Sequence, residues 1–247
     1  MIQFPTKANP VKIIYADSFD IMNQMDDSSV DHVISDPPYA QKTHKGARTN
    51  KGVTSGSVEL VDFDSIDSDT FLRICRESVR LAKRWVVMTC DWRHAALAED
   101  ALPDEFIRVG VWVKPNPAPQ FTGDRPGMGW EAVLILHRSG KKRWNDGGRS
   151  ATWRYNKTKD KLHPTGKPLG LVRQWVRQFT DVDDLIFDPF AGSCTTALAA
   201  ISEGRRCLAV EKEHEYCMIG QKRCDGFLNT DRLIPYQPRK FASETLF

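Results

Sequence analysis

Four consecutive residues, Asp36, Pro37, Pro38 and Tyr39, combine groups that suit a planar base carrying an exocyclic amino group. The lone pair of such an amino group is delocalised into the ring, and acceptors placed on its hydrogens oppose that delocalisation. The Asp36 carboxylate and the Pro37 carbonyl are two such acceptors, while the prolines fix φ and have no N–H donor. Tyr39 offers a face for stacking. The tetrapeptide predicts a base-binding site, the alternative being prolines that only end a strand and a half-buried Tyr39.

A second acid-proline corner begins at Asp188 and opens a loop of small residues, 188–193, between a predicted strand and a predicted helix. Small residues allow the turn to approach a ligand closely, and Glu211 follows Gly192 by roughly twenty residues. At that offset an acid at the end of the next strand can bind both ribose hydroxyls of a nucleoside. Loop and acid indicate an adenosine-containing cofactor. A strand-turn-helix unit without a nucleotide is the alternative, because Gly-x-Gly-x-x-Gly is absent.

With both motifs in view, the chain resembles the DNA amino-methyltransferases, which use S-adenosylmethionine to methylate adenine N6 or cytosine N4. Residues 36–39 resemble the catalytic motif of that family, residues 188–196 its cofactor loop, and residues 163–168 the segment that precedes this loop. The catalytic motif comes first, which is similar to the permuted β-type order. The resemblance implies a Rossmann-like methyltransferase fold, S-adenosylmethionine as cofactor, no metal, and a base that is flipped out of duplex DNA.

The resemblance also assigns roles to individual residues. Catalysis falls to the tetrapeptide 36–39. Cofactor binding falls to Asp17, Asp36, His163, Thr165, Lys167, Pro168, Asp188, Phe190, Ala191, Gly192, Ser193 and Glu211. The chain departs from the family at Cys194, where a second glycine is usual. The side chain of Cys194 adds volume where the turn meets the following helix, so the resemblance makes cofactor affinity the property to test there.

A basic and aromatic segment, 138–162, is the candidate for recognition of the target DNA. Residues 138–161 include nine basic residues and two acidic ones, with Gly147-Gly148 indicating a mobile loop. This mixture fits phosphate contacts and stacking. The predicted DNA-binding residues are Lys141, Lys142, Arg143, Trp144, Arg149, Trp153, Arg154 and Tyr155, together with Lys42, Lys45 and Arg48 in a second polar loop. A solvated loop with its aromatic residues packed on the core is the alternative.

Apolar runs and helical periodicity predict the elements that position these motifs. Strands are expected at 12–17, 30–36, 85–91, 109–114, 132–137, 184–188 and 206–211, and helices at 69–84, 169–179 and 195–203, with Gly204 as a C-cap. This alternation predicts an α/β fold with a mostly parallel twisted sheet and helices on both faces.

Acidic residues follow five of the predicted strands: Asp17, Asp36, Asp91, Asp188 and Glu211. In open α/β sheets the carboxyl ends of the strands form the ligand crevice, so several acids there indicate a site for a polar ligand that carries a cation. A helix N-cap is the alternative for any single one of them.

Composition sets wider limits. A chain of 247 residues is consistent with a single domain over 1–247, and its net charge of +3 does not by itself indicate nucleic-acid binding. The six cysteines lack Cys-x-x-Cys spacing, which argues against structural zinc. The chain has neither a secretory signal nor a stretch long and apolar enough to cross a bilayer, so a cytoplasmic location is expected.

Adenine N6 is the preferred target, and cytosine N4 is the nearest alternative because Asp-Pro-Pro-Tyr serves both. An RNA methyltransferase and a catalytically silent nucleic-acid-binding protein with the same fold also remain. A nicotinamide-dependent oxidoreductase leaves residues 36–39 unexplained. Double-stranded DNA is the expected partner; a second copy of the chain and a restriction-system protein are further candidates.

Overall fold

The computed structural model describes residues 2–38, 66–117, 123–157 and 166–230, which contain one eight-stranded sheet flanked by helices. The strands are β1 (Val11–Tyr15), β2 (His32–Ser35), β3 (Trp85–Cys90), β4 (Phe106–Val113), β5 (Trp130–His137), β6 (Thr152–Arg154), β7 (Leu185–Asp188) and β8 (Arg206–Glu211). The helices are α1 (Ser18–Met22), α2 (Ser68–Leu81), α3 (Trp92–Ala101), α4 (Leu169–Phe179), α5 (Thr195–Ser202) and α6 (His214–Leu228).

The strands lie in the order β1-β8-β7-β2-β3-β5-β4-β6. All neighbours are parallel except at β5, which is antiparallel to both β3 and β4. The predicted mostly parallel sheet is therefore confirmed. Alternate residues of each central strand point to opposite faces, so β3 sends Val86 and Met88 to one side and Trp85 and Val87 to the other.

Helices cover both faces of the sheet, as predicted. One core cluster includes Phe71 and Ile74 of α2 and Ala95 of α3, and the other includes Trp175 of α4 and Ala200 of α5. Both clusters contain side chains that are fully or almost fully withdrawn from solvent. The hydrophobic effect therefore holds the sheet between two helical layers.

Local signals explain most element boundaries. The Asp67 carboxylate accepts a hydrogen bond from the Thr70 N–H at 2.7 Å and caps α2. That helix ends at Leu81, three residues before its predicted end, because Ala82 turns to extended backbone and forms a bridge with Val30. Gly204 has φ +75°, the left-handed conformation that suits the residue after a helix, so its predicted capping role is confirmed. Four elements, α1, α3, β6 and α6, were not predicted.

The carboxyl ends of the parallel strands meet at one edge of the sheet, and the five predicted acids follow strands at this edge. Two of them are helix N-caps, since Asp17 accepts from the Phe19 N–H and Asp91 from the Arg93 N–H. The capping alternative therefore holds for these two. Asp36, Asp188 and Glu211 remain as acids that line a cavity at this edge, together with Asp17.

The antiparallel direction of β5 determines at which edge of the sheet the basic residues 138–149 lie. His137, the last residue of β5, pairs with Trp85, the first residue of β3. Residues 138–149 therefore lie at the amino edge of the parallel strands, opposite the edge that holds Asp36. Strand β6 runs parallel to β4 and returns the chain, so that Arg154 pairs with Val113 near the carboxyl edge. Within the described residues, no helix is long and apolar enough to cross a membrane.

Candidate active site

The two acid-proline corners come together at the carboxyl edge of the sheet. Because β2 and β7 are neighbours, Ser35 Oγ donates a hydrogen bond of 2.6 Å to Asp188 Oδ1. A cavity of about 270 Å³ is lined by both corners, with Asp36, Pro37 and Pro38 on one side and residues 188–193 on the other. The juxtaposition that the motifs required is therefore present, although Tyr39 lies outside the described residues.

The loop 188–193, predicted to bind the cofactor, is held by Glu211, which is buried at 8% exposure. Glu211 Oε2 accepts a hydrogen bond from the Gly192 N–H at 2.6 Å, and Oε1 accepts from the Glu213 N–H at 2.9 Å. Gly192 has φ +49°, a left-handed conformation that glycine adopts without strain. The loop can thus bring its backbone close to a ligand while the acid stands at the end of the neighbouring strand.

Two further contacts fix the loop from behind. Ser18 Oγ, in the first turn of α1, donates to the Pro189 carbonyl, and Arg223 of α6 donates to Ser193 Oγ at 2.8 Å. Ser193 is almost fully buried, so its side chain supports the loop. The predicted residues Asp17, Phe190 and Ala191 also line the cavity. These residues, with Glu211, form a lined recess that fits a nucleoside-containing cofactor.

Asp188 holds the corner together as an almost completely buried carboxylate. Burial raises its pKa to about 6, against the lowering effect of hydrogen bonds from Ser35, Thr196 and the Phe190 N–H. The nearby Asp36 carboxylate raises it further. A buried acid with such a pKa stabilises the folded state less when ionised than when protonated.

The Asp36 corner contains a row of charged side chains of alternating sign. Lys167 Nζ lies 2.7 Å from Asp36 Oδ1 and 3.2 Å from Glu131 Oε2, and Lys114 pairs with Glu131 Oε1. Thr89 of β3 also donates to Asp36 Oδ1. Burial lowers the pKa of Lys167, but the Asp36 and Glu131 carboxylates outweigh it and leave that pKa raised. Lys167 is therefore a protonated, buried ammonium beside Asp36.

Cys194 lies at the end of the cofactor loop and turns away from the cavity. It is fully buried and adopts φ +61°, and its side chain packs against Gly220 of α6. A Cβ at position 220 would stand 2.3 Å from Cys194 Sγ. The Cys194 side chain, which stands where the family usually has a glycine, therefore fits because residue 220 on the neighbouring helix α6 is a glycine and has no side chain. Cys194 is not among the residues that line the cavity.

Comparison with known proteins places this geometry in a family. The DNA methylase family of the N6/N4 type matches residues 30–222, most of the chain. The chain belongs to this DNA methylase family. It is a DNA methyltransferase, and the family that the sequence was predicted to belong to is confirmed.

Relatives and solved structures agree with that assignment. The chain is 29% identical to the type II methyltransferase M2.DpnII of Streptococcus pneumoniae, over 88% of this chain and 91% of the relative. It is 25% identical to the type II methyltransferase M.HinfI of Haemophilus influenzae, over 85% and 67%.

Among solved structures, the M1.HpyAVI complex with S-adenosylmethionine superposes with a TM-score of 0.63 at 25% identity, covering 86% of this chain and 99% of that one. The cytosine-N4-specific PvuII DNA methyltransferase superposes with a TM-score of 0.69 at 18% identity, covering 87% and 86%, and this likeness shows the fold alone. The predicted Rossmann-like methyltransferase fold is confirmed.

The structure divides the predicted DNA-binding residues of this methyltransferase into groups. Trp153 requires a correction: it is 1% exposed, its Nε1 donates to Gln178 Oε1 at 2.8 Å, and it packs on Trp175, so it is not available for stacking on DNA. Trp144 and Tyr155 are half-buried, and the Tyr155 hydroxyl donates to Gln174. For the aromatic residues, packing on the core is the arrangement observed.

The basic residues of the segment separate by edge. Lys141, Lys142, Arg143 and Arg149 are exposed but follow β5 at the amino edge, away from Asp36. Arg143 is also paired with Asp181 at 2.9 Å. Arg154 is exposed and lies near the carboxyl edge. Besides Tyr39, five predicted site residues lie outside the described ranges: His163, Thr165, Lys42, Lys45 and Arg48.

Several residues of the site were missed in the sequence. Ser35 and Thr89 lie inside apolar strands, where a small hydroxyl attracts little notice. Glu131 directly precedes the apolar run 132–137, but its place at the carboxyl edge depends on the antiparallel direction of β5. Lys167 was expected to bind the cofactor; it lines the cavity, and its partners there are Asp36 and Glu131. Pro168 is buried at the start of α4.

Proposed function

We propose that this DNA methyltransferase transfers the methyl group of S-adenosylmethionine to the N6 amino group of an adenine flipped out of double-stranded DNA. The observation that carries the proposal is the single cavity shared by the Asp36 corner and the loop 188–193, joined by the bond between Ser35 and Asp188. A methyl donor and an extruded base held there share one space, so their proximity and orientation supply much of the rate.

The methyl donor is S-adenosylmethionine, whose sulfonium supplies an electrophilic methyl group when bound. Glu211 and the loop 188–193 are the residues that would hold its nucleoside part, and the acids of this edge favour its positive charge over the neutral product. The fit rests on the recess described above, where Gly192 allows a close backbone approach and Glu211 stands at the end of β8.

Asp36 and Pro37 act on the acceptor. Their oxygens accept the hydrogens of the target amino group, localise the lone pair of its nitrogen and point it at the methyl carbon. The N–C bond forms as the C–S bond breaks with its electron pair remaining on sulfur, and the nitrogen then releases one proton to solvent. Positive charge moves onto the base during transfer, and the Asp36 carboxylate stabilises that charge in the transition state.

Cytosine N4 is the second candidate target, because the same two acceptors suit the amino group of either base. Transfer of a labelled methyl group from S-adenosylmethionine to duplex DNA, followed by digestion and nucleoside analysis, separates the two. N6-methyladenine as the labelled product supports the proposal, and N4-methylcytosine replaces it by the second candidate. Label in RNA but not in duplex DNA overturns the choice of substrate.

For the duplex itself, we propose contacts near the carboxyl edge. Arg154 and Lys157 are exposed there, and the Asn116 side chain bonds to the backbone of Lys157 and fixes the chain at that point. Lys42, Lys45 and Arg48 remain predicted DNA contacts in the loop after the catalytic motif. Phosphate neutralisation by such residues makes binding depend on salt.

A restriction-system setting is proposed because the relatives named above are type II methyltransferases. Methylation by this protein is then expected to protect a defined short DNA site from a cognate endonuclease. Sequencing of exposed DNA with direct detection of modified bases identifies that site. A homodimer is the proposed assembly, and sedimentation of the free protein tests it.

A further inference from the structure

Beyond the residues of the recognised motifs, Glu131 holds an unusual place in the site. It is the second residue of β5, pairs in the sheet with Trp112 of β4, and brings its carboxylate to the Lys167 ammonium at 3.2 Å. The same ammonium contacts Asp36 at 2.7 Å. The two carboxylates therefore share one buried cation, and only one of them belongs to the catalytic motif.

We propose that Glu131 is a positioning residue for methyl transfer, acting on Asp36 through the Lys167 ammonium that both carboxylates share. The proposal rests on the proposed function, because its effect is exerted on the carboxylate that receives the target amino group. Lys114, paired with the other oxygen of Glu131, holds Glu131 in place.

Charge balance gives the first reason. A carboxylate that faces a single buried ammonium is neutralised by it, and a neutralised Asp36 stabilises little of the positive charge that reaches the base. Because Glu131 also contacts Lys167, its negative charge offsets part of the positive charge of the ammonium. Less of the Asp36 charge is then neutralised, and more of it can stabilise the positive charge on the base. Lys114 lies beyond Glu131 and is farther along the row of charges.

Geometry gives the second reason. Lys167 precedes α4 and has a long flexible side chain, so Asp36 alone would hold it in a single direction. Glu131 on β5, Asp36 after β2 and the indole of Trp112, 5.8 Å from Lys167 Nζ, surround the ammonium from different strands. Thr89 donates to the same Asp36 oxygen that contacts Lys167. The orientation of the Asp36 carboxylate thus depends on a cation that Glu131 keeps in place.

The test compares single-turnover methyl transfer to duplex DNA in the wild type and in Glu131→Gln, with dissociation constants for S-adenosylmethionine and DNA measured separately. The glutamine keeps the shape and removes the charge. We expect the transfer rate to fall about 10- to 100-fold while both dissociation constants change by less than about 2-fold. Glu131→Asp, which keeps the charge, is expected to recover part of the rate.

Glu203→Gln is the matched control. Glu203 is also a buried carboxylate shared by two cations, Arg173 at 2.6 Å and Arg177 at 2.9 Å, but it lies at the far end of α5 from the cavity. Its replacement is expected to lower the melting temperature and leave the transfer rate of the folded enzyme unchanged. A purely structural role for Glu131 would make the two glutamine variants behave alike.

A double-mutant cycle with Lys167→Met tests the route of the effect. If Glu131 acts through Lys167, the Glu131 replacement changes the rate by less than about 3-fold once Lys167 is already gone. Multiplying effects would overturn the proposed route. An active wild type with an equally active Glu131→Gln variant overturns this inference alone, whereas a wild type that methylates no DNA overturns the proposed function and this inference with it.

Discussion

The two edges of the sheet use the same kinds of charged residue for different purposes. At the amino edge, Asp184 accepts from His32 and pairs with Arg84, which also reaches Asp181. Arg84 thus forms ion pairs with both Asp181 and Asp184, and these pairs connect the start of β3 to the turn before β7. At the carboxyl edge, Asp36, Asp188 and Glu211 line a cavity. The neighbouring strands β1, β8, β7, β2 and β3 are all parallel. An acid at the carboxyl end of one of them therefore lies on the ligand side of the sheet, and an acid at the amino end lies on the opposite side.

The comparison predicts that replacing an acid at the carboxyl edge lowers activity, whereas replacing an acid at the amino edge lowers stability. Replacing Asp36 by Ala removes the acceptor at the catalytic edge, and we expect methyl transfer to fall by roughly 10³-fold or more, with the fold retained. Replacing Asp184 by Ala removes the hydrogen-bond partner of the buried His32 and one of the two carboxylates that pair with Arg84, and we expect the free energy of unfolding to fall by about 1–3 kcal/mol. Single-turnover assays and urea titrations measure both. Retained turnover in the Asp36 variant would refute its catalytic role.

The packing behind the cofactor loop provides the next test. In Gly220→Ala, the new methyl group meets Cys194 Sγ, and we expect a loss of about 1–3 kcal/mol of stability together with weaker S-adenosylmethionine binding. The double variant Cys194→Gly/Gly220→Ala vacates that space and is expected to restore both properties. Cys194→Gly alone should bind the cofactor within about 2-fold of the wild type, because the side chain lies outside the cavity. Much tighter binding by this variant would show that Cys194 disturbs the loop.

Replacing pairs of basic residues by alanine at each edge of the sheet tests which edge binds DNA. Arg154→Ala/Lys157→Ala removes two exposed charges near the carboxyl edge, and Lys141→Ala/Lys142→Ala removes two at the amino edge. We expect the first pair to weaken DNA binding and reduce the slope of log affinity against log salt by up to about 2, and the second to leave the slope unchanged. Binding measured over a salt series decides between them. A change of slope in the second pair would place DNA on the opposite edge.

The smallest expected effect is a pH dependence of opposite sign at the two edges. Burial raises the pKa of Asp188 to about 6, so its contribution lowers stability as pH rises from about 4 to 6. Burial, with nearby positive charge, lowers the pKa of His137 to about 4, so its contribution lowers stability as pH falls from about 6.5 to 4. Each is worth about 1–3 kcal/mol. Asp188→Asn and His137→Leu should remove these slopes in unfolding titrations, each without changing the other.

Much of the fold was predictable because its signals are local. Apolar runs such as 85–90 and the periodicity of 169–179 depend only on neighbouring residues, and both elements formed almost as predicted. Helix α6 was missed because its residues are largely polar, and its burial comes from the contact of Gly220 and Cys217 with the rest of the fold. Strand β6 has only three residues, too few for a pattern.

The catalytic corner shows the same limit. Asp36 and Asp188 each belong to a short motif, and the adjacent residues of that motif are enough to predict its chemistry. The two partners of Asp36 named above are Thr89 of β3 and Lys167, two residues before α4, and Glu131 of β5 reaches Asp36 only through Lys167. These residues are far apart in the sequence. Trp153 was predicted to stack on DNA because an aromatic residue among basic ones suits that role, yet the indole fills the core beside Trp175.

By itself, the sequence determined the chemistry of the two corners, the class of cofactor and the alternation of strands and helices, since each depends on residues within a few positions of one another. The tertiary structure decided which side chains share a site: that Lys167 lies between Asp36 and Glu131, that Gly220 makes room for Cys194, and that residues 138–149 lie at the edge away from the cavity. Those facts follow from strand order and direction, which arise from long-range packing that sequence neighbours do not record.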